Sequence, residues 1–167
     1  EMDANVIEVD VRRCPECWKL KLSHEPIRSE NECETLADLS DILSYGEKME
    51  LVLDLKEQGL RKEVLAITEN LRFRHKITIS SFLWMELFKM SVFGRRKRFG
   101  LLWDSGLKNI PRFLVFCAAT LIGVGSIHLD FTMIMKDESL VMYFKEKGFE
   151  VWSYTVNSEK EIELARK

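Results

Sequence analysis

The chain has 167 residues, 46% of them hydrophobic and 31% charged, with a formal net charge of -2. This composition excludes a disordered or fibrous chain, and the charge balance provides no overall basic field for nucleic acid. The longest apolar run, Phe113 to Val124, falls short of the ~20 residues that a membrane span needs. It reads as a buried helix, and stable membrane insertion is not expected.

Seven β-rich runs follow one another: VIEVDV (6–11), WKLKLSH (18–24), ELVLDLK (50–56), KITISSF (76–82), RFGLLW (98–103), SIHLDF (126–131) and EVWSYTV (150–156). Helical patterns lie between most of them: TLADLSDILSYG, with Thr35 as N-cap and Gly46 as C-cap, then EVLAITENLRF, LWMELFKMSVF, IPRFLVFCAATLIG and ESLVMYFKEKG. The first two runs are too close for a helix between them, and Pro15 in Cys-Pro-Glu-Cys favours a turn there. Alternation at this spacing predicts an α/β fold with parallel strands in one domain, a (β/α)8 TIM-type barrel. A full barrel takes ~250 residues and eight strands. The chain opens on Glu1 and stops inside a charged helical pattern, so the barrel is expected to be incomplete, with terminal strand segments missing. The basic run Arg95 to Arg98 reads as a solvated loop ahead of a strand. Four cysteines at irregular spacing do not make a disulfide framework, so a reducing, cytoplasmic location is expected.

Side chains alternate between the faces of a strand. Ile7, Val9 and Val11 therefore share one face, and Glu8 and Asp10 the other. Leu51, Leu53 and Leu55 oppose Asp54 and Lys56, and Ile127, Leu129 and Phe131 oppose Ser126, His128 and Asp130. Helix-covered parallel strands are usually apolar on both faces, so ionisable residues near the ends of three strands point to a functional cluster at a barrel mouth. Three carboxylates, Glu8, Asp10 and Asp54, make a hard oxygen site suited to Mg²⁺ or Ca²⁺. Lys56 can neutralise an anionic oxygen, and His24 is the natural proton-transfer group. A divalent cation, a lysine and a histidine together suit cleavage of a phosphodiester.

The order E-x-D-V, H-E, L-D-L-K, I-S-S-F, Y-T-V-N over nearly the whole chain resembles the glycerophosphodiester phosphodiesterase family. Its relatives include the phosphatidylinositol-specific phospholipases C and spider-type sphingomyelinases D. The resemblance implies a metal-dependent hydrolase that acts on a small-molecule phosphodiester and gives glycerol 3-phosphate and an alcohol. It implies metal binding by Glu8, Asp10 and Asp54, and catalysis by His24 and Lys56. Arg12 stands where the family often has a basic residue, and with Lys56 and His128 it completes the expected substrate-binding set. Glu25 follows His24 where the family usually has Asp, Asp54 stands where it usually has Glu, and Tyr154 where it usually has Trp. The family's opening His-Arg-Gly strand, with another acid/base histidine, and its closing D-G-I-I-T-D strand are not in this sequence. The chain by itself is therefore expected to be inactive. The alternatives are a related phospholipase of the D or C type acting on lipid, and a catalytically incomplete barrel used for binding.

The Cys14–Cys17 pair needs more ligands to form a zinc ribbon, and only Cys33 and a histidine are on hand. It reads as a turn that holds two thiols, at most a local metal clip. His75 reads as a surface residue. His128 is open between a substrate contact and a hydrogen-bonded core histidine.

Overall fold

The computed structural model describes residues 5–69, 71–93, 98–156 and 158–165. Residues 95–97 of the basic run and Asn157 of Y-T-V-N lie outside these. The chain divides into two compact units, Glu1–Phe99 and Gly100–Lys167.

In the first unit the order is β1 (Val6–Arg13), β2 (Leu20–Leu22), α1 (Glu30–Thr35), α2 (Leu39–Leu43), β3 (Glu50–Leu55), α3 (Arg61–Glu69), β4 (Ile77–Ser81) and α4 (Trp84–Phe93). β1, β3 and β4 are parallel neighbours, and β2 folds back antiparallel on the end of β1, with Val11 opposite Leu22 and Arg13 opposite Leu20. The apolar alternation buries Leu51, Leu53, Leu55, Ile77 and Ile79. α4 packs on β4 and buries the apolar Leu87 and Met90. The polar positions fall into register: Asp10 lies opposite Asp54, and Asp54 opposite Ser80.

Three local expectations are corrected. Thr35 does not start a helix. It ends α1, with its hydroxyl donating to the Glu32 carbonyl at 2.8 Å, and Ser29 is the N-cap, accepting from the Glu32 N–H at 3.3 Å. Leu36 then turns extended, and α2 begins afresh after Asp38, whose N–H donates to the Asp41 carboxylate at 3.1 Å. Gly46 is not a C-cap either. It is buried in a 3₁₀ turn, Ser44–Glu47, where a Cβ would come within 2.3 Å of the Phe73 ring, so close packing requires the glycine. The second β-rich run is also shorter than expected, because Trp18 adopts a left-handed φ of 59° and only Leu20–Leu22 is strand.

The second unit holds β5 (Arg98–Trp103) from its third residue onward. α5 (Arg112–Ile122), β6 (Ser126–Asp130), α6 (Phe131–Lys136), α7 (Ser139–Lys145), β7 (Glu150–Tyr154) and α8 (Glu159–Ala165) follow. β5, β6 and β7 are parallel neighbours. α6 was not legible in the sequence; Asp130 ends β6 and caps α6 by accepting from the Thr132 N–H at 2.7 Å. α6 packs on β6 and β7, and α7 on β7. Gly100 lies opposite Ser126, and a Cβ there would come within 2.5 Å of His128 Nε2, so the glycine makes room for the imidazole.

Six of the seven described strands thus run parallel to a neighbour within their own unit, with helices between them. This is the α/β architecture of the (β/α)8 barrel type, with one strand fewer among the described residues. No described helix is long and apolar enough to cross a membrane.

Candidate active site

β1 and β3 supply the carboxylates. Parallel pairing in register sets Asp10 beside Asp54, and Glu8 precedes them on the same face of β1. One oxygen from each of Glu8, Asp10 and Asp54 lies within 4.8 Å of the others. Lys56, one residue past β3, reaches back: its ammonium bonds to Asp10 Oδ1 at 2.9 Å and to Asp54 Oδ2. The same ammonium sits 5.8 Å from the Phe82 ring centroid, a cation–π contact that places I-S-S-F at the site. His24, in the loop after β2, brings Nδ1 to 2.6 Å from Asp10 Oδ2, and its side chain is 73% exposed. Arg12 does not face open solvent. Its Nε and Nη2 donate to the His24 carbonyl at 3.1 and 2.9 Å, and Nη1 lies 3.7 Å from Glu57.

Opposed charges and burial tune these groups. Burial, then the negative charges of Asp10 and Asp54, push the Glu8 carboxyl up to about 7. Burial also raises Asp54, despite its hydrogen bond from Lys56. Burial works against the charge on Asp10 too, but the hydrogen bonds from Lys56 and His24 outweigh it and hold Asp10 below its ordinary value. Burial opposes the Lys56 charge as well, and the bonds to Asp54 and Asp10 overcome it, so Lys56 stays an ammonium.

The donor set fits a hard divalent cation. Lys56 neutralises one of three clustered carboxylates, and Asp54 Oδ1 and Ser80 Oγ are buried without a hydrogen-bond partner. Orphaned buried oxygens are costly unless something positive meets them. Ser80, which the sequence offers only as part of I-S-S-F, alternates with Ile79 on β4 and lies in the row of Asp10 and Asp54.

His128 belongs to the second unit. It is 6% exposed, with Nε2 2.9 Å from Ser126 Oγ and its ring stacked on Trp152 at a centroid distance of 5.0 Å. Burial pulls it down to about 4, so it is neutral near pH 7. Of the two readings open for His128, the hydrogen-bonded, buried one describes these surroundings. His75 is exposed, as expected.

No family model matches the sequence, and no curated protein matches it. Solved structures do. A protein of Agrobacterium tumefaciens assigned as a glycerophosphoryl diester phosphodiesterase superposes with a TM-score of 0.81 at 14% identity, over 98% of this chain and 78% of that one. A glycerophosphodiester phosphodiesterase of Parabacteroides distasonis gives 0.76 at 14% identity, over 96% of this chain and 75% of that one. Another, from Agrobacterium tumefaciens, gives 0.72 at 15% identity, over 97% and 80%.

The fold is that of the glycerophosphodiester phosphodiesterases. At such identities the similarity speaks for the fold alone, and the chemistry rests on the side chains of this chain.

The cysteines depart from expectation. Cys14 and Cys33 are joined as a disulfide, and Cys17 Sγ lies 3.3 Å from Cys33 Sγ. Their spacing of 19 residues gave no sign of this; the β1–β2 turn and α1 bring them together.

Proposed function

We propose that this protein is a metal-dependent phosphodiesterase that hydrolyses glycerophosphodiesters to glycerol 3-phosphate and an alcohol. The observation that carries the reading is the Lys56 ammonium bridging Asp10 and Asp54 in register, with Glu8 and His24 on the same cluster. Glu8, Asp10 and Asp54 are the residues that would hold Mg²⁺ or Ca²⁺, which supplies Lewis-acid stabilisation of charge on the phosphoryl oxygens.

The protein groups do the rest. Asp10 accepts from His24 Nδ1, which fixes the tautomer that leaves Nε2 to exchange a proton with the reacting oxygens. Arg12 holds the His24 backbone, so we assign it to positioning that imidazole in place of direct substrate binding. Lys56 offers positive charge beside the phosphate position and keeps the two aspartates from repelling each other. His128 is assigned to the core of its own unit. The substrate is a small phosphodiester.

The test is hydrolysis of glycerophosphocholine by the full-length protein, followed by release of glycerol 3-phosphate with and without Mg²⁺ or Ca²⁺. Metal-dependent release, abolished in the Glu8→Gln/Asp10→Asn variant, is expected. Release that persists in a chelator, or metal binding by calorimetry that the double variant leaves unchanged, overturns the assignment.

A further inference from the structure

A disulfide needs two sulfurs, yet a third converges on the pair. Cys14 follows β1 directly and is fully buried, and Cys33 is the buried residue of α1. Cys17 lies between them in a turn whose backbone is held at both ends: the Cys14 N–H donates to the Lys19 carbonyl at 2.9 Å and the Trp18 N–H to the Cys14 carbonyl at 3.0 Å. Trp18 takes the left-handed φ of 59°, which L residues with large side chains rarely adopt. The Cys17 N–H then points at Cys14 Sγ, at 3.4 Å. A backbone donor aimed at a sulfur favours the thiolate, and ligand thiolates are supported by hydrogen bonds of this kind. The three sulfurs lie within 4.8 Å of one another. The disulfide explains two of these sulfurs and leaves unexplained both the strained turn and the position of the third.

We propose that Cys14, Cys17 and Cys33 of the reduced protein hold one Zn²⁺, with a water or another small ligand in the fourth position. The disulfide is the oxidised, metal-free form of the same site. Thiolates select a soft cation, whereas the carboxylate cluster on β1 and β3 selects a hard one, so the two sites do not compete for the same ion. Interconversion balances with a phosphine reductant. The phosphine and one water give the phosphine oxide and two thiols, and Zn²⁺ then displaces the three thiol protons. The ion ties the β1–β2 turn to α1 across the segment that carries His24, so it contributes to the stability of that segment. The proposal does not depend on the proposed hydrolase activity.

The experiment uses the whole chain, reduced with tris(2-carboxyethyl)phosphine, desalted without oxygen and titrated with Co²⁺ as the optical probe. The expected result is one Co²⁺ per chain with sulfur-to-metal charge-transfer absorption, displaced by Zn²⁺, and a higher melting temperature in the Zn²⁺ form than in the metal-free reduced form. Cys17→Ser changes an exposed side chain and keeps both Cys14 and Cys33; it is expected to weaken Zn²⁺ binding by at least about a hundredfold, more than a lost supporting partner costs. Cys117→Ser, in α5, and Glu8→Gln are expected to leave Zn²⁺ binding unchanged. Absence of the sulfur charge-transfer band in the reduced wild type overturns the site and leaves a structural disulfide only. Wild-type affinity in Cys17→Ser overturns it as well.

Discussion

Strands β3 and β6 have the same design on paper: apolar residues on one face, and ionisable ones on the other near the end of the strand. Their polar faces end in opposite electrostatic states. On β3, Lys56 stays an ammonium bonded to Asp54, and to Asp10, which β1 brings into register beside them. On β6, His128 is stripped of its charge by burial, against the Ser126 hydroxyl and the Trp152 indole ring, and among the described residues no carboxylate is bonded to it. Alternation says which way a side chain points, and the partner strand decides whether it is ionised when it gets there.

The sharpest test of the charged side is His24→Ala in the full-length protein. Turnover of glycerophosphocholine is expected to fall by roughly 10²–10⁴ with divalent-cation binding intact. Steady-state kinetics beside calorimetric titration checks both, and near-normal turnover removes His24 from the mechanism. Next comes Lys56→Met, which leaves Asp54, 1% exposed, without its counter-charge. Metal-free stability is expected to fall by about 3–5 kcal/mol, the usual cost of breaking a buried pair. Mg²⁺ or Ca²⁺ is expected to bind more tightly, because the competing ammonium is gone. Denaturant titrations with and without cation show whether the metal recovers the loss; if it does not, Lys56 is not the cluster's internal counter-ion.

The neutral side is tested by pH. The folded value of about 4 for His128 lies below its ordinary 6.5, so between those two values the unfolded chain binds a proton that the folded chain does not. Stability is therefore expected to fall as pH drops from 6.5 towards 4, by on the order of 3 kcal/mol for a shift of this size. His128→Phe, measured by urea denaturation across that range, is expected to flatten this part of the profile. An unchanged slope means that the imidazole is solvated or paired and the contrast with β3 fails. The smallest effect is expected from Ser126→Ala, which takes away the hydroxyl at His128 Nε2 and costs about 1–2 kcal/mol by thermal or denaturant unfolding.

Much of the charged site was legible beforehand. Glu8, Asp10, Asp54 and Lys56 could be placed on polar faces because a strand's side-chain period is two residues, and they do gather. His24 was placed at the end of its run, and the structure seats it on Asp10. Arg12 was legible as a nearby cation, but its attachment to the His24 backbone depends on β2 folding back on β1. Ser80 was legible only as part of I-S-S-F and received no role of its own, because a lone hydroxyl in a strand carries no charge signal. Thr35 was misread because a threonine suits a helix start and, through a bond to a carbonyl three residues back, a helix end equally well.

The sequence by itself determined which residues share a face and where the chain alternates between strand and helix, because both follow from covalent geometry and local patterning. Only the tertiary structure decided which faces meet. It set Asp10 opposite Asp54 through the register of two strands far apart in the chain, enclosed His128 against Trp152, and drew Cys33 onto Cys14 and Cys17. Those outcomes depend on contacts between distant segments, where packing and desolvation act, and no local run of residues encodes them.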